Sequence, residues 1–400
     1  MSGRLSSDMP DARTPLRLLP PCAATAQRLR IAVLAPPWIP VPPDGYGGTE
    51  AVVELLCDAL AARRHDVTLF AAPGSHSTAR VHVLLEEPHP DAIGSALHES
   101  DHLACAWEQI DLAAAQHHPF DVVHDHSGFT ALAMADQVRV QVVHTIHGAF
   151  DHDTKRFYQR HASKATLVAI SRSQAASAPA GVRIRAVVPN PIAVARWPLS
   201  TQKQDYVLWI GRMDPVKGAH RAIEAARLAG RSLVLAGPVQ PGQERYFREQ
   251  IEPQIDGRRV RYFGEVTGTR KQQLYANARA LLMPVRWREP FGMVMIEALA
   301  CGTPVIAFPE GAAAEIVIDG ENGMLVSGEH QMARAIDQVG AIDPARCRAS
   351  VAERYDIAVT ATSYERVYRN VAGVERASAA LAPRIQSSGH VQPLQRSGRR

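Results

Sequence analysis

Short apolar runs alternate with stretches of helical period along most of the chain. Ile31–Ala35, Asp66–Ala71, Asp121–His126, Gln141–Thr145 and Thr166–Ser171 read as strands. Between the first two lies Ala51–Ala62, whose Val52, Leu55, Leu56, Ala59 and Leu60 fall on one helical face. The periodicity stops around Asn190-Pro191 and Trp197-Pro198, and Leu199–Asp205 is polar. It then restarts, with strands expected at Tyr206–Ile210, Ser232–Ala236, Val260–Phe263, Ala280–Val285 and Pro304–Phe308. Helices are expected at Ala219–Leu228, Arg270–Asn277, Gly292–Ala300, Gln331–Val339 and Ile357–Val371. Strand–helix alternation of this kind builds a parallel sheet with helices on both faces.

Two such halves in tandem predict an α/β protein of two Rossmann-like domains facing across a cleft. Ligands in such sheets bind beyond the carboxyl ends of strands. The expected boundaries are 29–196 for the first domain, 197–204 for a linker, 205–356 for the second domain and 357–373 for a closing helix. Residues 1–28 lack a continuous apolar core and read as a disordered extension rather than a signal peptide. Residues 374–400, with Arg376, Arg384, Arg396, Arg399 and Arg400 among small and polar residues, read as a disordered tail.

At 400 residues the chain suits two cores better than one. A net charge of +4 is small for this length and speaks against a nucleic-acid binder. The arginine-rich tails offer at most a weak peripheral contact with anionic lipid. No apolar run reaches the length of about 18 residues that a membrane span needs. The five cysteines, Cys22, Cys57, Cys105, Cys301 and Cys347, form no C-x-x-C pair. They point to reduced thiols and a cytoplasmic setting.

The most telling chemistry lies between Arg286 and Gly302. Glu289 precedes a Pro-Phe-Gly break, a helix opens at Gly292, and Glu297 follows two turns on. Helix openings attract phosphates, and carboxylates accept hydrogen bonds from hydroxyls. After the first strand, Asp44-Gly45-Tyr46-Gly47-Gly48-Thr49-Glu50 opens a helix. These glycines either let a backbone approach a phosphate or form a flexible loop with a threonine cap. They are no dinucleotide fingerprint, because Glu50 stands where a third glycine belongs. After Tyr206–Ile210, Arg212 and Lys217 sit five apart in a loop and either clamp a diphosphate or remain solvated surface charges. Lysine is scarce, with five in the chain.

Fourteen of the seventeen histidines fall between residues 65 and 161. His124-Asp125-His126 and His144-x-x-His147 end successive strands. Their spacing suits metal, but no third patterned ligand accompanies them, so no metal is expected. Asp151-His152-Asp153 follows Gly148 and reads as a helix start. Neither a G-x-S-x-G elbow nor a Walker loop is present.

Taken together, Gly47-Gly48-Thr49-Glu50, His147-Gly148, Gly211-Arg212…Lys217-Gly218 and the Glu289…Glu297 segment resemble the family 4 retaining glycosyltransferases of the GT-B fold. Gly311…Glu315-Ile316-Val317 and Asp319-Gly320…Asn322-Gly323 fit the same family, and the likeness spans about residues 29–372. The resemblance implies a hexosyl transfer from a nucleotide-diphosphate sugar, needing neither cofactor nor metal, and a closing helix that crosses back to the first domain. It implies that Arg212 and Lys217 neutralise the diphosphate and that Glu289 binds donor-sugar hydroxyls. Phe291, Gly292 and Met293 would offer N–H groups, and Glu297 would bind the ribose. Gly47 and Gly48 would meet the phosphates from the first domain, and His147 would contact the donor sugar. Gly237, Glu265 and Val266 would lie in the nucleotide pocket. The acceptor, a sugar, a lipid-linked molecule or a small molecule, would be met by Glu50, His124, Asp125 and His126.

One departure stands out: after Val187-Val188-Pro189-Asn190 the chain reads Pro191-Ile192-Ala193, where many relatives carry an acid. Two alternatives share the architecture, a sugar-nucleotide epimerase and a catalytically silent nucleotide-sugar-binding protein.

Overall fold

The computed structural model describes residues 28–381, with side chains through residue 373. Seven strands form the first sheet: β1 (Arg30–Leu34), β2 (Asp66–Ala71), β3 (Arg80–Val83), β4 (Val122–Asp125), β5 (Val142–Ile146), β6 (Thr166–Ala169) and β7 (Ile184–Val187). Their order is β3-β2-β1-β4-β5-β6-β7, all parallel. Six more form the second: β8 (Tyr206–Ile210), β9 (Ser232–Ala236), β10 (Val260–Tyr262), β11 (Ala280–Met283), β12 (Val305–Ala307) and β13 (Gly323–Leu325). These run β10-β9-β8-β11-β12-β13, again all parallel. Central strands such as β4 and β11 are buried at every residue, as a sheet covered on both faces requires. In each sheet the order reverses beside the first strand, between β1 and β4 and between β8 and β11. The loops leaving those four strands therefore flank the crevices where such sheets bind ligands.

The interior strands lie where the apolar runs place them, within a residue or two at each end. Three strands do not appear in that pattern: β3, β7 and β13. All are sheet edges, and β3 and β7 are at least half polar or exposed. The 20-residue helix Ala96–Ala115 also goes unforeseen. Its buried stripe is Leu103, Ala106, Trp107 and Ile110, with His102 filling a further inward position. Pro344–Tyr355, likewise unforeseen, starts with Asp343 capping Ala345 N–H. Asp151 accepts from Thr154 N–H at 2.8 Å while Thr154 Oγ1 accepts from Asp151 N–H at 2.8 Å, so the Asp-His-Asp triplet is a capping box that starts the helix His152–His161.

The last helix, Ile357–Leu381, continues eight residues past its expected end at 373. Part of the expected 374–400 tail is thus helical; the rest of it, the expected 1–28 extension except its last residue, and Cys22 lie outside the described residues. This helix returns to the first lobe. Tyr364, Tyr368 and Val371 share a core with Leu56, Leu60, Val122 and Val168. Arg63 donates to Thr362 Oγ1, Glu365 and Ala358 O, and His65 pairs with Glu365 at 3.0 Å. Each buried tyrosine removes about 150–250 Å² from water, which ties the helix down. The two chain crossings lie side by side: Ile192 N–H donates to Tyr355 O and Ile357 N–H to Ile192 O. The expected linker is bonded along the second lobe, with Ser200 N–H on Cys301 O and Lys203 Nζ on Ala276 O, Cys301 O and Thr303 Oγ1.

Candidate active site

A cleft of about 490 Å³ separates the lobes. From the first lobe it is lined by the 42–49 loop and His147. From the second it takes Arg212, Lys217, Gly237, Glu265, Val266, Glu289, Phe291, Gly292, Met293 and Glu297. Residues spread over 250 positions of sequence thus meet in one space.

Two helices point their N-termini at this cleft. One is Gly48–Ala62, preceded by Gly47; the other is Met293–Ala300, preceded by Gly292. Unpaired N–H groups and the helix dipole make each end favourable for an anion. Gly292 has φ +94°, the left-handed region, and an added Cβ would sit 2.5 Å from Met295 Cε. Gly237 is more constrained still. Its φ is +133°, and a Cβ there would fall 1.8 Å from Gly211 O, because the loops after β8 and β9 touch backbone to backbone. By contrast, nothing lies within 4 Å of where Gly48 would carry a Cβ.

Both carboxylates of the Glu289…Glu297 segment are buried and held by donors. Glu289 Oε2 receives Lys217 Nζ at 2.5 Å and Trp287 Nε1 at 2.7 Å. The Lys217 ammonium also lies 4.8 Å from the centre of the Trp287 ring. Glu297 Oε1 receives Lys271 Nζ at 2.7 Å, and Oε2 receives the Tyr275 hydroxyl at 2.8 Å. Burial and this carboxylate push the Tyr275 phenol well above its ordinary range, so it stays a donor. Among the described residues Glu289 Oε1 receives no protein donor, and each Glu297 oxygen takes only one, so both carboxylates keep lone pairs for a ligand hydroxyl. Arg212 Nη1 donates to Gln240 Oε1 at 3.1 Å, while its buried Nε has no partner among the described residues. Glu265 Oε1 accepts from Tyr46 N–H at 2.6 Å, a bond that spans the cleft between lobes.

Trp287, Lys271 and Tyr275 were not singled out by sequence. Lys271 carried a signal in being one of the five lysines; Trp287 stood two residues before Glu289.

His124, Asp125 and His126 are buried at the end of β4 and do not line the cleft. Their polar atoms are turned on one another and on the terminal helix: His126 Nδ1 lies 2.8 Å from His147 Nε2, and His124 Nδ1 lies 2.7 Å from the Tyr368 hydroxyl. Asp125 bonds His144 Nδ1 at 2.5 Å and Ser127. Glu50 faces inward from its helix, and burial raises its carboxyl to about 7. Desolvation lowers His124 and His126 well below the ordinary imidazole range and His147 to about 4.

Family models match nearly the whole described chain. Residues 46–196 match Glycosyltransferase Family 4 and residues 195–353 match Glycosyl transferases group 1. The chain is 28% identical to the glycogen synthase of Mycobacterium tuberculosis over 88% of its own length and 97% of that protein. Among solved structures it is similar to AviGT4, a glycosyltransferase involved in avilamycin A biosynthesis, at TM-score 0.67 and 27% identity, covering 86% of this chain and 98% of that one. It shares its fold with Anabaena HepE in complex with UDP and glucose, at TM-score 0.64 and 23% identity, covering 85% and 99%. With two facing parallel sheets, a returning terminal helix and a glycine- and cation-lined cleft between them, the chain belongs to the group 1, family 4 glycosyltransferases, retaining enzymes of the GT-B fold that take sugar from a nucleotide-sugar donor.

Proposed function

We propose that this protein moves a hexosyl group from a nucleoside-diphosphate sugar to an acceptor hydroxyl without a metal, with the first lobe on the acceptor side and the second holding the donor. The observation that carries this reading is the convergence of Lys217, Arg212 and two helix N-termini on one cleft that also presents two carboxylates, each held by two protein donors. Breaking the anomeric C–O bond leaves an oxocarbenium-like sugar and adds charge to the departing diphosphate. Lys217, Arg212 and the N–H groups at Gly48 and Phe291–Met293 stabilise that charge electrostatically.

In this reading Glu289 accepts from donor-sugar hydroxyls and Glu297 from the ribose, while Gly237, Glu265 and Val266 flank the base. His147 meets the sugar. Neither glutamate acts as an acid or a nucleophile, because each is already bonded by an ammonium and a second donor. With attack on the face the diphosphate leaves from, that diphosphate takes the acceptor's proton and configuration is retained. The HepE complex with UDP and glucose makes UDP-glucose the first donor to try. The acceptor is a hydroxyl of a sugar, a lipid-linked molecule or a small molecule. The four cysteines of the described residues are free, which suits a cytoplasmic setting, and among the described residues no helix is long and apolar enough to cross a membrane.

The test is a panel of nucleotide sugars, first in thermal shift and then in an assay of diphosphate release with EDTA present. Transfer predicts release of free nucleoside diphosphate that survives chelation. An isomerised nucleotide sugar would mark an epimerase, and stabilisation without turnover a silent binder.

A further inference from the structure

Trp287 touches both members of the Lys217–Glu289 pair, and does so with two different parts of its indole. Its edge donates Nε1–H to Glu289 Oε2 at 2.7 Å, the same oxygen that receives Lys217 Nζ at 2.5 Å. Its face lies 4.8 Å from that ammonium. The ring is half-buried against the core that holds Phe291 and Met295, so its N–H points in a fixed direction.

Backbone contacts alone do not fix the Glu289 carboxylate. Glu289 N–H donates to Trp287 O at 2.9 Å, and Ala312 N–H donates to Glu289 O at 3.0 Å. Gly311 packs so closely on this segment that a Cβ there would fall 2.2 Å from Glu289 O. These contacts set where the side chain starts. They leave the last torsion of the glutamate, which is broad and roughly two-fold in energy. A lysine ammonium carries several N–H donors and, unopposed, can turn such a carboxylate until it takes both oxygens. The pair would then satisfy itself and offer less to a ligand. The indole N–H removes that freedom. With two donors on Oε2, the carboxylate plane is set, and Oε1 has no protein donor among the described residues. Oε1 is not among the buried atoms shut away without a partner, and Glu289 lines the cleft. Lys217 commits one N–H to Oε2 and keeps the others for an anion.

Resting on the placement of Glu289 at the donor sugar, we propose that Trp287 is a positioning residue that keeps the Lys217–Glu289 pair from closing on itself, so that Glu289 Oε1 accepts from a hydroxyl of that sugar while Lys217 faces the diphosphate. The indole N–H then acts on recognition of the sugar. It does not act on the free nucleoside diphosphate, which Arg212 and Glu297 hold through contacts that Trp287 does not share.

Two replacements in the full chain test this. Trp287→Phe keeps an aromatic face toward Lys217 and removes the N–H. Benzothienylalanine, placed at position 287 by codon suppression, keeps the whole bicyclic shape and puts sulfur where the N–H was. The probes are the nucleotide sugar turned over in the donor panel, UDP-glucose first, and its free nucleoside diphosphate. In both variants kcat/KM for the nucleotide sugar should fall about 10-fold, the low end for a hydrogen bond to a charged group, while calorimetric Kd for the free diphosphate stays within about twofold. An unchanged kcat/KM, or an equal loss of affinity for the free diphosphate, would overturn the proposal. A second measurement needs no ligand: the indole ¹H–¹⁵N signal of Trp287, assigned by its loss in Trp287→Phe. In Glu289→Gln that proton should move upfield, because a neutral acceptor binds it less strongly than a carboxylate; an unmoved signal would equally overturn the proposal. If Glu289→Ala loses the nucleotide sugar but neither Trp287 variant does, the sugar grip stands and the positioning role alone fails. If no nucleotide sugar of the panel binds, or Glu289→Ala turns it over as fast as wild type, the sugar-grip reading fails and takes the proposal with it.

Discussion

Replacing Lys217 by alanine separates what its ammonium does for the fold from what it does for the reaction. Lys217 Nζ lies 2.5 Å from Glu289 Oε2, and the two side chains are 15% and 10% exposed. Removing one partner of a fully buried pair costs about 3–5 kcal/mol, because the other charge is left without compensation. Glu289 is not left bare here, since Trp287 Nε1–H still donates to it at 2.7 Å, and the cleft admits water. We therefore expect a smaller loss of ~2 kcal/mol, which for a lobe of this size lowers Tm by on the order of 4–8 °C. The catalytic loss should be larger. A preorganised donor at developing charge is worth about 10²–10³ in rate, or roughly 3–4 kcal/mol at 1.36 kcal/mol per decade.

The two effects are distinguished by measuring diphosphate release at 25 °C, far below the melting transition, beside denaturant unfolding of the same samples. In the double variant Lys217→Ala/Glu289→Ala, the stability losses should be less than additive, because the orphaned carboxylate is gone. The rate should remain at or below that of Lys217→Ala. A Lys217→Ala enzyme within threefold of wild type, or one rescued by adding Glu289→Ala, would refute the role of Lys217 at the diphosphate.

Three further outcomes follow from the geometry. Glu297→Ala removes a charged acceptor held by Lys271 and Tyr275; donor KM should rise about 10- to 100-fold, the worth of hydrogen bonds to a charged group, with kcat changed far less, as read from saturation kinetics. Glu50 sits at about 7 in the folded protein against an ordinary 4.5, so the folded state holds its proton more tightly than the unfolded chain and stability falls as pH rises through that interval. Glu50→Gln should accordingly gain up to about 3 kcal/mol at pH 8 and almost nothing at pH 4 in urea unfolding; equal effects at both pH values would rule this out. Gly237→Ala would force a methyl within 1.8 Å of Gly211 O at φ +133°, and should abolish soluble expression or nucleotide binding in a thermal-shift assay.

Elements with continuous apolar sequence were legible because a doubly covered parallel sheet buries whole strands rather than alternate residues. Tyr206–Ile210 and Ser232–Ala236 sit where their runs begin and end. Edge strands lose that signature. Arg80–Val83 pairs on one side only and carries an arginine and a histidine, and its His82 gains its place by stacking on Phe70 at 5.3 Å, a contact no local pattern reports. The helix Ala96–Ala115 was hidden for a related reason. His102 occupies an inward position normally filled by an aliphatic residue, so its stripe reads as broken.

The second lobe's wall of the cleft was legible because glycines and charges there sit in loops at strand ends, positions that topology alone marks as ligand-facing. The histidines of β4 violated the same rule. They too end a strand, yet the terminal helix lies over them, and His124 packs on Tyr364 and bonds the Tyr368 hydroxyl, more than 200 positions later. Whether a strand end faces ligand or core depends on what folds back over it, and that information resides in the last helix. Sequence proximity to a binding motif therefore identifies the groups that contact a ligand only where no later element covers them.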